Sequence, residues 1–316
     1  MLSRTLANSP RRLFDYLMPG PGNFAALLPI LRAHGGLKAW EARTDRFTRT
    51  LGRLGPLEVL LAHTAAEVRE AQRLRYRVFY REGTAIADTA KLFARRDVDA
   101  FDAICDHLLV VDEADGSQAA DRQPKVVGTY RLLRQEIAEK HGGFYSANEF
   151  EIGELIARHG GHRFLELGRS CVLAPYRNRR TVELLWHGIW TYVRHHRFDV
   201  MFGCASLEGM DPDRLALPLS FLHHFARAPE QWRARAVAGR QVDMNRMPKE
   251  AIDPKAALHA LPPLIKGYLR LGASIGDGAV IDRQFGTTDV LIVLPVSAIN
   301  ARYIQHFGAD ATRHAA

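Results

Sequence analysis

The segment from Phe164 to Cys204 constrains this chain more than any other. Phe164–Leu173 is an apolar run closed by Ala174 and Pro175. Thr181–His196 then repeats Val182, Leu185, Trp186, Ile189, Trp190 and Val193 at helical spacing, and Val200–Cys204 is a second short apolar run. Short apolar runs bounded by turn residues read as buried strands, so the segment is strand–helix–strand. Its first strand carries Glu166 and Arg169 among core-type residues. A charge in a central strand has to be paired or functional, because an uncompensated one is costly to bury. In regular alternation Glu166 and Gly168 share one face, and Leu165, Leu167 and Arg169 the other. A bulge at Gly168 would bring Glu166 and Arg169 to the same side.

The rest of the chain fits around this unit. Leu57–Leu61 reads as a strand, and Ala65–Tyr80 as a helix with Thr64 as its N-cap. Asp106–Asp112 and Val126–Leu133 read as a hairpin with a polar connection over 113–124. Pro212–Phe225 and Pro263–Leu271 read as helices and Asp289–Leu294 as a strand, with an irregular, Arg-rich stretch over 228–248. The order predicts a mixed α/β sheet in a single domain over 56–310. Before it lies a basic arm, residues 1–55, with a Pro-Gly cluster at 19–22 and an apolar stretch, Phe24–Leu31, interrupted by Pro29. Such an arm suits contact with an anionic membrane surface or a partner, and equally a loosely ordered extension.

Several classes are excluded. Cys105, Cys171 and Cys204 are too few and too far apart for a disulfide framework or a zinc site, and read as small buried groups in a cytosolic protein. No run reaches the roughly 18 apolar residues of a membrane span. The arm lacks a cleavage site of secretory type, so it reads as retained. Neither GxGxxG nor GxxxxGK[ST] occurs, which removes the common nucleotide cradles. His107 and Asp112 make an HxxxxD spacing, but about one such match arises by chance in a chain with this many His and Asp residues. The His195–His196 and His223–His224 pairs lack further ligands at metal spacing, so no metal is expected. The net charge of +8 calls for an acidic partner. Its basic residues are scattered without interleaved aromatics, which argues against nucleic acid.

Four segments carry candidate chemistry: Arg75, Arg77 and Phe79 late in the first helix; Asp97, Asp99, Asp102 and Asp106 around Phe101; Gly128-Thr129-Tyr130-Arg131-Leu132; and Glu166 to Val172, followed by Tyr176 and Arg177. Each has a plain structural reading, as solvated arginines, capping aspartates or a buried ion pair.

Together they resemble the GNAT-type acyltransferases that draw acyl groups from acyl carrier protein. The skeleton is shared with acyl-homoserine-lactone synthases and is closest to the ornithine Nα-acyltransferase family. The stretches Leu261–Ala273 and Phe285–Pro295 support the same family, and the resemblance covers about 57–308. It implies a GNAT-like fold: a mixed, mostly antiparallel central sheet with splayed strands, flanked by helices. It also implies transfer of a fatty acyl group, with or without a 3-hydroxyl, from an acyl carrier protein thioester to the α-amino group of ornithine, giving lyso-ornithine lipid. The donor is a 4′-phosphopantetheine-linked acyl group, with no permanently bound cofactor. The expected place is the cytoplasm or the inner face of the membrane.

By this resemblance the splayed strand is Phe164–Val172, and Cys171 and Val172 lie along the pantetheine. Where other GNAT enzymes carry R-x-x-G-x-G for coenzyme A, this chain has Tyr176-Arg177-Asn178-Arg179-Arg180-Thr181. Arg177, Arg179 and Arg180 instead suit a phosphopantetheine phosphate and acidic carrier residues. Glu166 is the candidate base and Tyr176 a candidate acid for the departing thiol. Arg131 or Arg169 would pair with the acceptor carboxylate. Asp99 or Asp102 would hold the distal ammonium, or would only order the loop with Arg75 or Arg77. Acylation of lysine, glutamine or glycine, acyl-homoserine-lactone synthesis and a non-catalytic acyl-binding or carrier-binding module are the alternatives.

Overall fold

The computed structural model describes residues 49–114, 124–299 and 303. In chain order the elements are β1 (Thr50–Leu54), β2 (Leu57–Leu61), α1 (Ala65–Tyr76), α2 (Thr89–Ala94), β3 (Asp106–Asp112), β4 (Lys125–Arg134), α3 (Gln135–Ala138), α4 (Ile152–Arg158), β5 (Phe164–Val172), α5 (Arg179–His196), β6 (Val200–Glu208), α6 (Ala216–Phe225), β7 (Gln241–Val242), α7 (Pro254–Ala260), α8 (Pro263–Leu271), β8 (Ser274–Asp282) and β9 (Thr287–Pro295). The strands form one sheet in the order β1-β2-β3-β4-β5-β6-β9-β8-β7. Its neighbours pair antiparallel except β5 and β6. This is the mixed α/β sheet that the sequence pattern predicts, with the mostly antiparallel GNAT-like order that the resemblance implies.

The period of two along β2 and β3 explains how the helices seat. Val59, Leu61, Leu108 and Val110 point into a core shared with Leu184, Leu185 and Ile189 of α5. Leu60, Leu109 and Val111 alternate with them and meet Val68 and Ala71 of α1 on the opposite face. Helix α1 starts at a capping box in which Thr64 and Glu67 each bond the other's backbone. It changes to a wide π-helical turn at Arg77–Glu82, where the sequence pattern predicts continuous α-helix to Tyr80.

Three further features depart from the sequence reading. Strand β1 falls inside the segment read as the arm, so the sheet begins before residue 56. Strand β8 runs through Gly276, Asp277 and Gly278, whose turn-like composition hides it, and it shifts register between Ile275 and Ala279. Strand β6 extends to Glu208 rather than Cys204. The arm's proposed contacts, Phe24–Leu31 and most of the 113–124 connection lie outside the described residues.

The feature that positions the site is the parting of β5 from β6. They pair over only Phe164↔Val200, Leu165↔Met201 and Glu166↔Phe202. Beyond that point β6 follows β9 to Glu208, while β5 follows β4. At the fork, a Cβ on Gly203 would lie 2.1 Å from the carbonyl oxygen of Leu167. Gly203→Ala therefore forces two backbones apart where they diverge. Overpacking of this kind costs roughly 1–3 kcal/mol. A Tm fall of about 2–10 °C is expected for a domain of this size, together with loss of turnover. A wild-type melting curve would show that the strands do not approach so closely.

Candidate active site

A cavity of about 230 Å³ occupies the gap between β5 and β6. One wall is Tyr130 and Arg131 from β4 with Glu166 to Ser170 from β5, and another is Cys204, Ala205 and Ser206 from β6. Leu264 and Tyr268 of α8, Asp282 at the end of β8, Phe285 of the following turn and Asp289 of β9 also line it, as do Phe79, Cys105, Leu133, Tyr145 and Ser146. Its size is below the roughly 300–1,000 Å³ of sites for drug-sized ligands, and suits an amino acid better than a nucleotide.

The bulge foreseen in β5 is present. Thr129 faces Cys171 and Arg131 faces Gly168, so β5 carries one residue more than β4 over this interval. The residue with left-handed backbone is Arg169 rather than Gly168, at φ 50°. A non-glycine residue in that region is held there by its surroundings. Arg169 lies over the rings of Tyr145 and Phe285, 4.8 and 4.6 Å from their centroids, and its guanidinium pairs with Asp97 and Asp99 at 3.2 Å.

Those aspartates belong to a buried, charge-balanced network of three arginines and three carboxylates. Arg75 Nε donates to Asp97 (2.9 Å) and its Nη2 to Asp102 (2.8 Å). Arg131 Nη1 donates to Asp99 (2.6 Å) and approaches Asp102 at 3.3 Å. Burial works to raise the pKa values of Asp97 and Asp99. The arginines outweigh it and hold both below the usual carboxylate range. Asp99 and Asp102 are thus engaged with Arg75, Arg131 and Arg169, and neither lines the cavity, so the distal-ammonium role does not fit them. Arg75 is wholly buried in the network and does not face the cavity, while Arg77 is exposed and pairs with Glu82.

Glu166 does reach the cavity. Ser146 donates to its Oε1 through N–H (2.7 Å) and hydroxyl (2.5 Å), and the Tyr145 N–H donates to Oε2 (3.0 Å). Burial raises its pKa against the pull of these donors. The carboxylate is fixed in orientation and more basic than a solvated one, which is what proton removal from an ammonium requires.

The sequence reading did not single out a second group of acids. Glu149, Asp282 and Asp289 bring carboxylate oxygens within 4.8 Å of one another, and Asp282 and Asp289 line the cavity. Burial, then Asp289, pushes Glu149 up to about 7, and burial also raises Asp289. Cys204 Sγ lies 3.3 Å from Glu149 and 3.4 Å from Ser146 Oγ. The one signal available in the sequence was Asp289 at the head of an apolar strand.

Tyr176 is elsewhere: its hydroxyl donates to Asp112 at 2.8 Å, away from the cavity lining. Three tyrosines line the cavity, Tyr130, Tyr145 and Tyr268; the hydroxyls of Tyr130 and Tyr268 bond each other, with Ser170 also a partner of Tyr130. Burial raises both, so they stand as neutral O–H groups. Burial also raises Cys105, Cys171 and Cys204, with Cys171 at about 12, leaving no thiolate nucleophile among them. Ser274 sits in a GxSxG spacing, but it opens β8 and its hydroxyl bonds the Val293 carbonyl, so it forms no nucleophile elbow.

Arg177, Arg179 and Arg180 are exposed around the N-terminus of α5, where Asn178 caps the helix. Arg177 Nε donates to the carbonyl of Val172 (3.0 Å) and its Nη2 to Glu82 (3.3 Å), while Arg179 pairs with Glu183. This basic rim adjoins the end of the bulged strand.

Residues 74–187 match the family model of the acetyltransferase (GNAT) domain. An L-ornithine Nα-acyltransferase of Rhizobium meliloti (strain 1021) is 57% identical over 263 residues, which is 83% of this chain and 88% of that protein. The enzyme of the same name from Brucella abortus (strain 2308) is 55% identical over 83% of this chain and 92% of its own length. One from Rhodobacter capsulatus is 40% identical over 79% and 94%. Among solved structures, FeeM, an N-acyl amino acid synthase from uncultured soil microbes, gives a TM-score of 0.44 at 10% identity, covering 80% of this chain and 98% of that one. The AHL synthase LasI gives 0.40 at 11% identity, over 75% and 89%.

Proposed function

The chain belongs to the L-ornithine Nα-acyltransferase family, and on that premise we propose that it joins a 3-hydroxy fatty acyl group to the α-amino group of ornithine, drawing it from an acyl carrier protein and releasing lyso-ornithine lipid. The observation that carries this reading is that Glu166 and Arg169 reach one cavity at the fork of β5 and β6, together with Asp282 and Asp289. That arrangement is complementary to a small molecule with one carboxylate and two amines.

In this mechanism Arg169 receives the acceptor's α-carboxylate. Its side chain is more exposed than that of Arg131, 12% against 4%, and it retains donor capacity beyond its two aspartates. Asp282 and Asp289 hold the distal ammonium. Glu166 takes a proton from the α-ammonium, directly or through a water, and the neutral amine attacks the thioester carbon. The forming oxyanion faces the stretch of β5 that has parted from β6, where backbone N–H groups are available as donors. Collapse of the tetrahedral intermediate forms the amide and releases the pantetheine thiolate toward the Tyr130–Tyr268 hydroxyl pair. Arg177, Arg179 and Arg180 supply a basic rim for the phosphopantetheine phosphate and an acidic carrier.

Purified protein incubated with a 3-hydroxyacyl carrier protein and an equimolar amino acid mixture should give N-acyl-ornithine as the dominant product by mass spectrometry. Norvaline, which lacks the distal amine, should be acylated with kcat/KM reduced on the order of a hundredfold, the cost of leaving buried acids unpaired. Equal use of norvaline would remove the carboxylates from the acceptor site, and acylation of a different amino acid would move the acceptor.

A further inference from the structure

The three most exposed large apolar side chains among the described residues lie within eight positions of one another. Ile86, Leu92 and Phe93 are 69%, 55% and 87% exposed. They sit on the connection that carries α2, between the π-helical turn and buried Asp97. This connection is held at several points. Ala85 N–H bonds the Phe79 carbonyl, Ile86 N–H bonds that of Gln284 (2.7 Å), the Thr84 hydroxyl bonds that of Phe285, and Asp88 caps α2. The apolar side chains are therefore presented on fixed backbone.

Positive charge surrounds them. Over 81–96 the cations Arg81, Lys91, Arg95 and Arg96 face only Glu82 and Asp88. Arg69 and Arg73 of the neighbouring helix are close enough to repel Arg96. Phe79 and Phe285, to whose carbonyls the connection is bonded, both line the cavity, so the patch adjoins the site where the acylated product forms.

We propose that Ile86, Leu92 and Phe93, with the flanking arginines, dock the enzyme on an anionic lipid bilayer beside the mouth of its cavity, so that an amphiphilic product passes into the membrane next to its place of synthesis. The product half of this statement rests on the acylation proposed above. Apolar side chains inserted at the headgroup boundary, with cations at headgroup level, are how peripheral proteins hold a charged bilayer.

The full chain should float with vesicles of phosphatidylcholine and phosphatidylglycerol, and much less with phosphatidylcholine alone. The double variant Leu92→Ser/Phe93→Ser should bind the mixed vesicles at least tenfold more weakly. Arg95→Glu should weaken binding to the mixed vesicles alone, with the effect fading in high salt. Both variants should keep wild-type turnover of ornithine with a soluble short-chain thioester, an assay that judges the acylation reading separately. Absence of wild-type binding, or equal binding by wild type and double variant, would overturn the proposal. So would a double variant that floats normally but loses turnover only with the carrier-linked donor, which would assign the patch to the carrier protein.

Discussion

Glu166→Gln is expected to lower kcat for ornithine acylation by about two to four powers of ten while leaving KM nearly unchanged. The glutamine keeps the shape and the acceptor toward Ser146 but cannot take a proton. The pH profile makes the test specific. Burial raises the Glu166 pKa, so the wild-type rate should climb with pH through that raised value as the carboxylate ionises. The variant should lose this limb and retain a shallow residual profile. The side-chain amide facing the Tyr145 N–H costs about 1–3 kcal/mol of stability, so a melting curve must show the variant folded. A folded Glu166→Gln enzyme with near wild-type turnover would give the base role to another group, with Glu149 the next to examine.

Asp97→Asn is expected to produce the largest loss of stability. Its carboxylate bonds Arg75 and lies 3.2 Å from Arg169, and the side chains of Arg75 and Asp97 are 0% and 1% exposed. Removing one partner of a buried ion pair leaves the other charged and dry, at a cost of about 3–5 kcal/mol. That corresponds to a fall in Tm on the order of 10 °C or more. The exposed pair Arg214–Asp211 provides the control, because Asp211→Asn should change stability by less than about 1 kcal/mol. Linkage adds a second readout. Asp97 and Asp99 have folded pKa values below their unfolded ones, so their contribution is fully present above the unfolded value. It is lost as pH falls through the folded values. Asp97→Asn should flatten that acid limb. An unchanged melting curve would mean that the network is not formed as described.

The sequence made the strand–helix–strand unit legible because its apolar spacing is local. The same holds for α8, which begins and ends at the predicted Pro263 and Leu271. The charged strand was legible too, since Glu166 and Arg169 have no business in an apolar run without partners or chemistry. The assignment of partners was not. Asp99, Asp102 and Arg131 each look like a ligand for an amino acid when read alone, and only the fold shows that they neutralise one another. The second acid cluster comes from three remote places, Glu149, Asp282 and Asp289, of which the last two border the cavity, and the first two resemble ordinary loop or turn residues in the sequence. Tyr268 belongs to the buried core as well as to the cavity lining. Tyr176 drew attention through its neighbours, but its hydroxyl points to Asp112.

The position of β9 has a consequence for how the protein is made. It is the last strand among the described residues, yet it lies inside the sheet, bonded to β6 on one side and to β8 on the other. During synthesis β6 leaves the ribosome long before the strand that covers its edge, and β5, β6 and their helices can assemble first with that edge bare. A bare apolar edge invites pairing with other nascent chains, so the interval between translating Glu208 and Thr287 is the vulnerable period for aggregation. Asp289 arrives with that final strand. The cavity therefore acquires that carboxylate only once β9 has been made, and a product truncated before β9 would be both sticky and inactive.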